Sequence, residues 1–378
     1  MGKLKYIHLI FMTGTVGLIV FSLSRWRPST NGIKPVWSQV PQSGRKTVLL
    51  WTRYFHNIHW PLPNRNDEKC KFSCRVTSNR KYLAHSDVVA FHWRDIDLND
   101  VPKSRKPGQI WAIFSLEPPP QTPREILVSL KDHLNWTISY RRDSDVFVPY
   151  GRVIKRKQKK YVKLANFFEN TTSVSWVVSN CKTTGGREDY VKELKKHISV
   201  DIFGECGDEL CVGKSNAMFR NLCYNHLATK YRFYLSFENS ICKDYATEKL
   251  YLAMDSGMIP VVFGGADYKN ILPSDSYIDA LKYSPASLAK HLVDISQDKL
   301  VYQKYLKWKE NYEVQNRTVK SWICSLCEKL QAVKLTQTYK PNDFLKWWFD
   351  DAKCQTWKNG DVIAYHKTTK AKSDASLE

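Results

Sequence analysis

Continuous apolar runs dominate the first half of the chain. Four such runs, at 46–55, 87–93, 109–116 and 144–150, show little alternation between apolar and polar positions. Strands that are buried on both faces have this pattern, whereas strands with one solvated face alternate. The first half therefore predicts a parallel β-sheet that is covered on both sides.

A strand, loop, helix and strand unit occurs twice in the second half. The first unit has its strand, helix and strand at 173–180, 187–199 and 200–204. The second has them at 232–237, about 246–256 and 258–265, with Gly257 ending the helix. Because parallel units occur in both halves, the pattern predicts an α/β protein with two Rossmann-like domains facing a cleft.

The N-terminus carries a long apolar run. Residues 6–24 are nineteen uncharged residues, which at a rise of about 1.5 Å per residue nearly span a bilayer core of roughly 30 Å. A membrane helix is predicted; a cleaved signal peptide is the alternative, but no small-residue cleavage site follows. Residues 1–5 are then a cytoplasmic tail, 25–45 a stem, and the remainder lies across the membrane, as in a type II protein.

Composition limits the class of protein. The 378 residues are 43% hydrophobic, which suits two ordinary folded domains and argues against disorder. Lysine and arginine total 58 against 37 acidic residues, giving a formal charge of +21. Such an excess predicts an anionic partner, which could be nucleic acid, acidic lipid or a phosphorylated small molecule. A membrane helix argues against nucleic acid.

Two basic stretches account for much of that charge. The run at 152–163 is interpreted as a solvated hinge or surface segment between the two domains. The tail at 366–378 is predicted to be disordered. Between them, residues 340–351 predict an amphipathic helix that packs Phe344, Trp347 and Trp348 on the body of the protein.

Sequons and cysteines fit an extracytoplasmic compartment. Glycosylation triplets begin at Asn135, Asn170 and Asn316. The ten cysteines are even in number and include close pairs, so disulfides are expected in an oxidising lumen. A zinc site or a redox motif at Cys324 and Cys327 is the alternative, but no clustered histidines complete a zinc site and no strand precedes a redox motif.

Polar residues crowd the end of the strand at 232–237. Glu238 and Asn239 follow it directly, and Tyr245, Glu248 and Lys249 lie where the next helix begins. Ligands of open α/β sheets bind beyond the carboxyl ends of the strands, where helix N-termini attract anions. We therefore expect a phosphate near Lys249 and sugar hydroxyls near Glu248. A helix cap or a solvated ion pair is the alternative for any one of them.

A second helix N-terminus follows the loop at 181–186. Gly185 and Gly186 precede Arg187, so this loop could form another anion cradle beside the first. Two cradles facing each other would suit a pyrophosphate.

The stretch FYLSFENSICKDYATEKL, followed by PVVFGG, resembles the donor-binding signature of the α1,3-fucosyltransferases, glycosyltransferase family 10. The resemblance extends from about residue 47 to 330 and includes SLEPP at 115–119. It implies a GT-B fold with an acceptor domain at 46–165, a GDP-fucose domain at 166–340 and a terminal helix and basic tail at 341–378. It also implies a single-pass Golgi enzyme that transfers L-fucose, with inversion, from GDP-fucose to the 3-hydroxyl of GlcNAc.

The resemblance also implies roles for particular residues. Glu117 matches the general base, and Arg187 matches a phosphate-binding arginine for which Lys182 could stand in. The GDP-fucose contacts match Asn239, Tyr245, Glu248 and Lys249, with Glu238 near the sugar. Members of the family join an N-terminal cysteine pair to a C-terminal pair. The resemblance therefore implies that Cys70 and Cys74 form disulfides with Cys324 and Cys327, with the connectivity open.

Cofactor and acceptor are less constrained. Asp95 and Asp97 form the Asp-x-Asp pattern with which another class of glycosyltransferase binds a metal. They lie in the acceptor half, so the pattern is interpreted as a coincidence. We therefore expect that no metal is required, and stimulation by a divalent ion such as Mn²⁺ is left open. The expected acceptor is a GlcNAc-containing glycan on glycoproteins, with a lean to the innermost GlcNAc of the N-glycan core. A Lewis-type or LacdiNAc-modifying enzyme, an inactive lectin-like relative and a homodimer remain alternatives to be tested.

Overall fold

The computed structural model describes residues 45–62, 70–161, 173–208, 211, 217–315, 322–332 and 343–365. The predicted membrane helix at 6–24, the sequons at Asn170 and Asn316, the 165/166 boundary and the basic tail lie outside these ranges. Within them, no helix combines the length and the apolar character that a bilayer crossing needs.

Strands and helices alternate along much of the chain. The strands are β1 Thr47–Leu50, β2 Arg75–Thr77, β3 Val88–His92, β4 Ile110–Ser115, β5 Trp136–Ser139, β6 Val146–Phe147, β7 Arg152–Lys155, β8 Val174–Val177, β9 Val200–Phe203, β10 Phe233–Phe237, β11 Ile259–Phe263, β12 Ile278–Asp279, β13 Tyr312–Gln315, β14 Gln355–Lys358 and β15 Asp361–Ala364. The α-helices are α1 Arg124–Leu130, α2 Arg187–Leu194, α3 Ala217–Leu227, α4 Glu248–Ser256, α5 Tyr268–Ile271, α6 Pro285–Gln297, α7 Lys299–Lys304, α8 Trp322–Ala332 and α9 Asp343–Leu345. Short 3₁₀ turns cover Arg80–His85, Trp93–Asp95, Leu98–Asp100, Pro119–Gln121, Ala280–Lys282 and Lys307–Glu310, and a π turn covers Lys346–Asp350.

Two parallel sheets form the framework. The first has the order β2-β1-β3-β4-β5-β6 and the second the order β12-β11-β10-β8-β9. Every strand pair of both sheets whose register is resolved is parallel. The central strands β3, β4, β10 and β11 are buried along their whole length, as continuous apolar runs require. The predicted α/β class with two parallel sheets is confirmed.

The basic segment at 152–163 is partly ordered secondary structure, which corrects its interpretation as a solvated loop. Residues Arg152–Lys155 form β7, which pairs antiparallel with β13. Arg156 then forms an ion pair with Glu313 of the same strand. Opposite charges on the paired segments therefore help to hold a basic run against the body of the protein.

The chain returns to the first sheet after completing the second. Trp322, at the start of α8, is fully buried with its ring centroid 5.6 Å from Trp60 and 5.2 Å from Phe114 of β4. Phe344 and Trp348 join the same core and Trp347 packs against it, so the predicted packing of the terminal aromatic residues is confirmed. Helix α8, which the resemblance assigned to the second domain, thus contributes to the first core.

All ten cysteines form disulfides. The pairs are Cys70–Cys324, Cys74–Cys327, Cys181–Cys206, Cys211–Cys223 and Cys242–Cys354. The first two have the partners that the resemblance implied and fasten α8 beside β2. Cys324 and Cys327 are therefore each bonded to the N-terminal pair and not to one another.

Asn135, the sequon residue inside the described chain, links two strands. Its side-chain oxygen accepts a 2.8 Å hydrogen bond from the backbone nitrogen of Trp111 and another from Arg105. Thr137 of the same triplet is buried in β5. The triplet therefore has a structural role in the folded protein.

Candidate active site

The carboxyl ends of the two sheets meet at Glu117 and Asn239. Glu117 lies two residues after β4 and Asn239 two residues after β10, and the two side chains are close enough for Asn239 to lower the pKa of Glu117 as a hydrogen-bond donor. Since a carboxylate only accepts, the donor is the amide nitrogen of Asn239. Its Oδ1 atom is buried, and no residue of the described structure hydrogen-bonds to it. The site thus combines a carboxylate with an acceptor that is free to bind a ligand.

Glu117 is half-buried and held by its neighbours. Ser115 donates a 2.9 Å hydrogen bond to the backbone carbonyl of Glu117, and Pro118 and Pro119 restrict the chain that follows. Burial raises the pKa of Glu117; the positive charge of Lys249 opposes the rise and the negative charge of Glu248 adds to it. A carboxylate with a raised pKa is a stronger base once it is ionised.

Glu238 lies beneath the start of α4 and holds Thr247 there. It is fully buried, and its carboxylate accepts hydrogen bonds from the backbone nitrogen of Thr247 at 2.7 Å and from the Thr247 hydroxyl at 2.9 Å. Burial raises its pKa. Glu238 therefore has a positioning role beneath the helix, and its expected place near the sugar stays a prediction.

Glu248 and Lys249 form the accessible part of this helix start. Lys249 Nζ lies 3.2 Å from Glu248 Oε1, 2.8 Å from the Thr247 hydroxyl and 3.5 Å from Glu238 Oε2. Burial alone would lower the pKa of Lys249, but Glu248 and Glu238 raise it above its ordinary value. Burial alone would raise the pKa of Glu248, but Lys249 and Arg220 lower it. Both side chains are therefore charged at neutral pH.

Arg187 lies under the site. It is buried, and its guanidinium donates to the carbonyl oxygens of Phe237 at 2.7 Å and Asn180 at 2.8 Å and to Glu188 at 3.0 Å. Each of its three nitrogens thus has a protein acceptor, which is not the geometry of an open phosphate contact. Lys182, by contrast, is exposed on the loop above.

Tyr245 belongs to an aromatic wall between the sheets. It is buried, with its ring 4.9 Å from that of Tyr140 in an edge-to-face arrangement and 6.4 Å from that of Tyr150. Tyr150 donates a 2.7 Å hydrogen bond to the carbonyl of Leu116, beside the base. Burial raises the pKa of Tyr245 well above its ordinary value, so its hydroxyl stays protonated and can donate.

The hairpin of β14 and β15 supports the loop at 181–186 and the loop after β10, a feature that the sequence reasoning missed. The backbone nitrogen of Trp357 donates to the carbonyl of Gly185, and that of Gln355 donates to Ile241. Gly186 has φ of 76°, and a Cβ atom there would lie 2.1 Å from the carbonyl oxygen of Trp357. Only glycine therefore fits where the hairpin crosses the loop.

Asp95 and Asp97 do not form a metal site together. The carboxylate of Asp95 accepts from the backbone nitrogens of Phe55 and His56, while Asp97 caps the following turn by accepting from Asn99. In the part of the chain that the structure describes, no cluster of three or more histidine, cysteine or acidic side chains is arranged to hold a metal.

Two family models match the chain. The model described as "Fucosyltransferase, N-terminal" matches residues 43–151, and "Glycosyltransferase family 10 (fucosyltransferase) C-term" matches residues 168–348. The chain belongs to glycosyltransferase family 10. It is therefore a glycosyltransferase of the fucosyltransferase family, and the two matched regions each contain one parallel sheet.

Relatives of different names resemble the chain to a similar degree. Alpha-(1,3)-fucosyltransferase C of Drosophila melanogaster is 33% identical, over 82% of this chain and 79% of its own. The 3-galactosyl-N-acetylglucosaminide 4-alpha-L-fucosyltransferase FUT3 of Pan troglodytes is also 33% identical, over 83% and 86%. Glycoprotein 3-alpha-L-fucosyltransferase A of Drosophila melanogaster is 32% identical, over 85% and 65%. A solved alpha1,3-fucosyltransferase with GDP-fucose is 16% identical over 80% of this chain and 95% of that one, with a TM-score of 0.48.

Proposed function

We propose that the protein transfers L-fucose from GDP-fucose, with inversion, to the 3-hydroxyl of a GlcNAc residue. The observation that carries the proposal is the contact of Glu117 with Asn239 between the facing edges of the two sheets, beside the charged Lys249. Membership of family 10 and the α1,3-fucosyltransferase name of a relative support it. The same observations favour a GT-B arrangement, with the acceptor on the first sheet and the donor on the second.

Glu117 is proposed as the general base. Its carboxylate would take the proton of the acceptor hydroxyl while that oxygen attacks the anomeric carbon of fucose. The bond from this carbon to the phosphate oxygen breaks on the opposite face, and GDP leaves with the electron pair. Positioned proton transfer of this kind contributes about 10²- to 10⁴-fold to rate.

Donor binding is assigned to the helix start at α4. Lys249 and the first N–H groups of the helix would stabilise the charge that develops on the departing diphosphate. Glu248 would accept hydrogen bonds from sugar hydroxyls, and the unpartnered Asn239 Oδ1 atom could accept another. Tyr245 would donate from the wall, while Arg187 acts as a positioning residue and exposed Lys182 is the candidate for direct contact with the anion.

The acceptor is proposed to be the innermost GlcNAc of the N-glycan core. A relative that is named a glycoprotein 3-alpha-L-fucosyltransferase supports this choice, and the galactosyl-N-acetylglucosaminide relative supports the Lewis-type alternative. We further propose a type II Golgi membrane protein, anchored through residues 6–24, with its catalytic part in the lumen. Divalent metal is treated as a stimulator to be tested and not as a required cofactor.

Transfer of labelled fucose from GDP-fucose tests the reaction. The full chain in detergent is incubated with a core N-glycan glycopeptide, a LacNAc acceptor or a LacdiNAc acceptor. We expect labelling of the core glycopeptide, loss of it in Glu117→Gln, and unchanged GDP-fucose binding in that variant. Glu125→Gln, which changes an exposed acid on α1, is the matched control.

Three results would contradict this proposal, and each contradicts a different part of it. Labelling of LacNAc or LacdiNAc alone would replace the core assignment by the alternative acceptor. Glycan binding without transfer to any acceptor would favour an inactive lectin-like relative. Full activity of Glu117→Gln would remove the proposed base.

A further inference from the structure

Two consecutive residues after β1 adopt a left-handed backbone conformation. Phe55 has φ of 50° and His56 φ of 63°, and neither is a glycine. Side chains disfavour this region, so such residues persist only where their surroundings hold them, and they concentrate at functional sites. Two in succession call for an explanation.

Asp95 holds this segment in place. Its Oδ2 atom accepts a 2.8 Å hydrogen bond from the backbone nitrogen of Phe55, and its Oδ1 atom accepts one of 2.7 Å from that of His56. His92 Nδ1 lies 2.5 Å from Oδ2 of the same carboxylate, whose side chain is only 4% exposed. Both oxygens of the first aspartate of the Asp-x-Asp pattern are therefore engaged in fixing the backbone.

The segment carries apolar side chains that remain exposed. Phe55 is 42% exposed and Ile58 is 65% exposed. One face of Phe55 packs against His92, with ring centroids 4.8 Å apart, and the guanidinium of Arg94 lies 5.5 Å from its ring. A groove of about 590 Å³ lies beside this segment, and His56, Ile58 and Arg94 are among the residues after β1 and β3 that line it.

This groove adjoins the proposed base. In the parallel register of β3 and β4, His92 is paired with Phe114, so Arg94 and Glu117 follow at the same sheet edge. The charge of Arg94 is close enough to lower the pKa of Glu117. The ring of Tyr54, next to Phe55, lies 5.9 Å from that of Phe114. An acceptor whose hydroxyl is deprotonated by Glu117 would therefore extend over this segment.

We propose that Phe55, held by Asp95, is the platform on which a sugar ring of the acceptor glycan stacks, with Arg94 donating hydrogen bonds to its oxygens. The inference rests on the proposed function and deepens it by assigning a subsite for a neutral oligosaccharide. The C–H face of a pyranose is apolar and its rim is polar, which matches an exposed aromatic ring beside a guanidinium. The Asp-x-Asp pattern is thereby explained as a support for the acceptor subsite.

Kinetics of Phe55 variants test the platform. For Phe55→Ala we expect the acceptor KM to rise about three- to tenfold, with the GDP-fucose KM and the slow hydrolysis of GDP-fucose by water unchanged. Phe55→Trp should retain most of the acceptor affinity. Phe72→Ala, which removes another exposed phenylalanine, is the matched control. An acceptor KM within twofold of the wild type for Phe55→Ala, or an equal rise of both KM values, would overturn the proposal.

Substitution of Asp95 and of Asp97 distinguishes support of the Phe55 backbone from metal binding. Asp95→Asn should raise the acceptor KM as Phe55→Ala does while leaving the GDP-fucose KM unchanged, whereas Asp97→Asn should leave both unchanged. Equal effects of the two substitutions, removed by excess Mn²⁺, would instead indicate a metal site. If Asp95→Asn does not fold, the Phe55 series decides the matter alone.

A binding measurement tests the acceptor subsite independently of fucose transfer. Saturation-transfer NMR reads contacts between the core glycan and the protein without turnover. If the wild type binds the glycan but transfers no fucose, the proposed function fails, and loss of the contacts in Phe55→Ala would still support the subsite. Unchanged contacts in that variant would overturn the subsite even where transfer is observed.

Discussion

Glu117, the proposed base, has a pKa that is set by competing neighbours. Burial raises it, whereas Lys249 and Arg94 lower it. Because the base must be ionised, kcat/KM should rise with pH through this raised value. Removing a positive charge should raise the pKa further, so Arg94→Gln is expected to move the acidic limb of the pH-rate profile to higher pH.

The profile of Arg53→Gln is the control for that shift. Arg53 is an exposed arginine of the same groove, and it is not among the charges that act on Glu117. An acidic limb that stays in place in Arg94→Gln, or that moves equally in both variants, would contradict the coupling.

Arg187 and Lys182 should respond differently to replacement by methionine. Arg187→Met leaves the buried carbonyl of Phe237 without its donor, at a cost of about 1–3 kcal/mol for an unsatisfied group. We expect a clear loss of stability in urea unfolding, followed by weaker GDP binding. Lys182→Met should weaken GDP binding with no change in stability. Equal stability of both variants would argue that Arg187 is not structural.

Which residues face the site could be predicted only in part from the sequence. Asn239, Glu248 and Lys249 follow a strand end, so the rule for parallel sheets brings them to the edge. Nothing in the local pattern shows that Arg187 is covered by two carbonyls, or that Asp95 binds a backbone forty residues earlier. These facts depend on contacts between segments that are distant in the chain.

At the scale of elements, two disulfides attach α8 to the first sheet, and they enclose nearly the same segment of the chain. Cys70–Cys324 and Cys74–Cys327 span 254 and 253 residues. With one intact, breaking the other frees only a short loop, so each single pair should contribute about 2–3 kcal/mol by loop-entropy arguments. Breaking both releases the long loop, and we expect a cost above the sum of the two single costs.

Chemical unfolding of cysteine-to-alanine pairs checks this coupling. Removal of Cys211–Cys223, which spans 12 residues elsewhere in the fold, should add independently to either single removal. Simple additivity of the two α8 disulfides would contradict the coupling through their shared loop.

Elements with a clear apolar pattern in the sequence were predicted, whereas elements held by contacts with distant segments of the chain were not. The runs at 87–93 and 109–116 match β3 and β4, and the helix at 246–256 matches α4. β5 was missed because its four residues stand in no long apolar run, although each is buried. The hairpin of β14 and β15 was missed because it has few apolar residues and is held by the loops it crosses.

At the scale of the whole molecule, the chain end packs against the loops of the proposed donor site. Cys354 is bonded to Cys242, and Trp357 then packs its ring 5.2 Å from that of Tyr190 in the second core. The segment thus joins the loop at 181–186, the loop after β10 and the core beneath them. The two separate loops of the proposed donor site thus have a common support.

Deletion of residues 355–378 tests that support. It removes the hairpin but keeps the Cys242–Cys354 bond, so the loop of Gly185 loses its hydrogen bond from Trp357 and the second core loses a buried indole. Loss of a buried tryptophan costs about 3–5 kcal/mol, and we expect GDP affinity to fall about tenfold, equivalent to about 1.4 kcal/mol. Deletion of 366–378 alone removes one histidine and three lysines from the chain end and leaves the hairpin, so the shortened chain should bind GDP as the full chain does. If calorimetry showed that both deletions weaken GDP binding equally, the basic tail, and not the hairpin, would be the element that the donor requires.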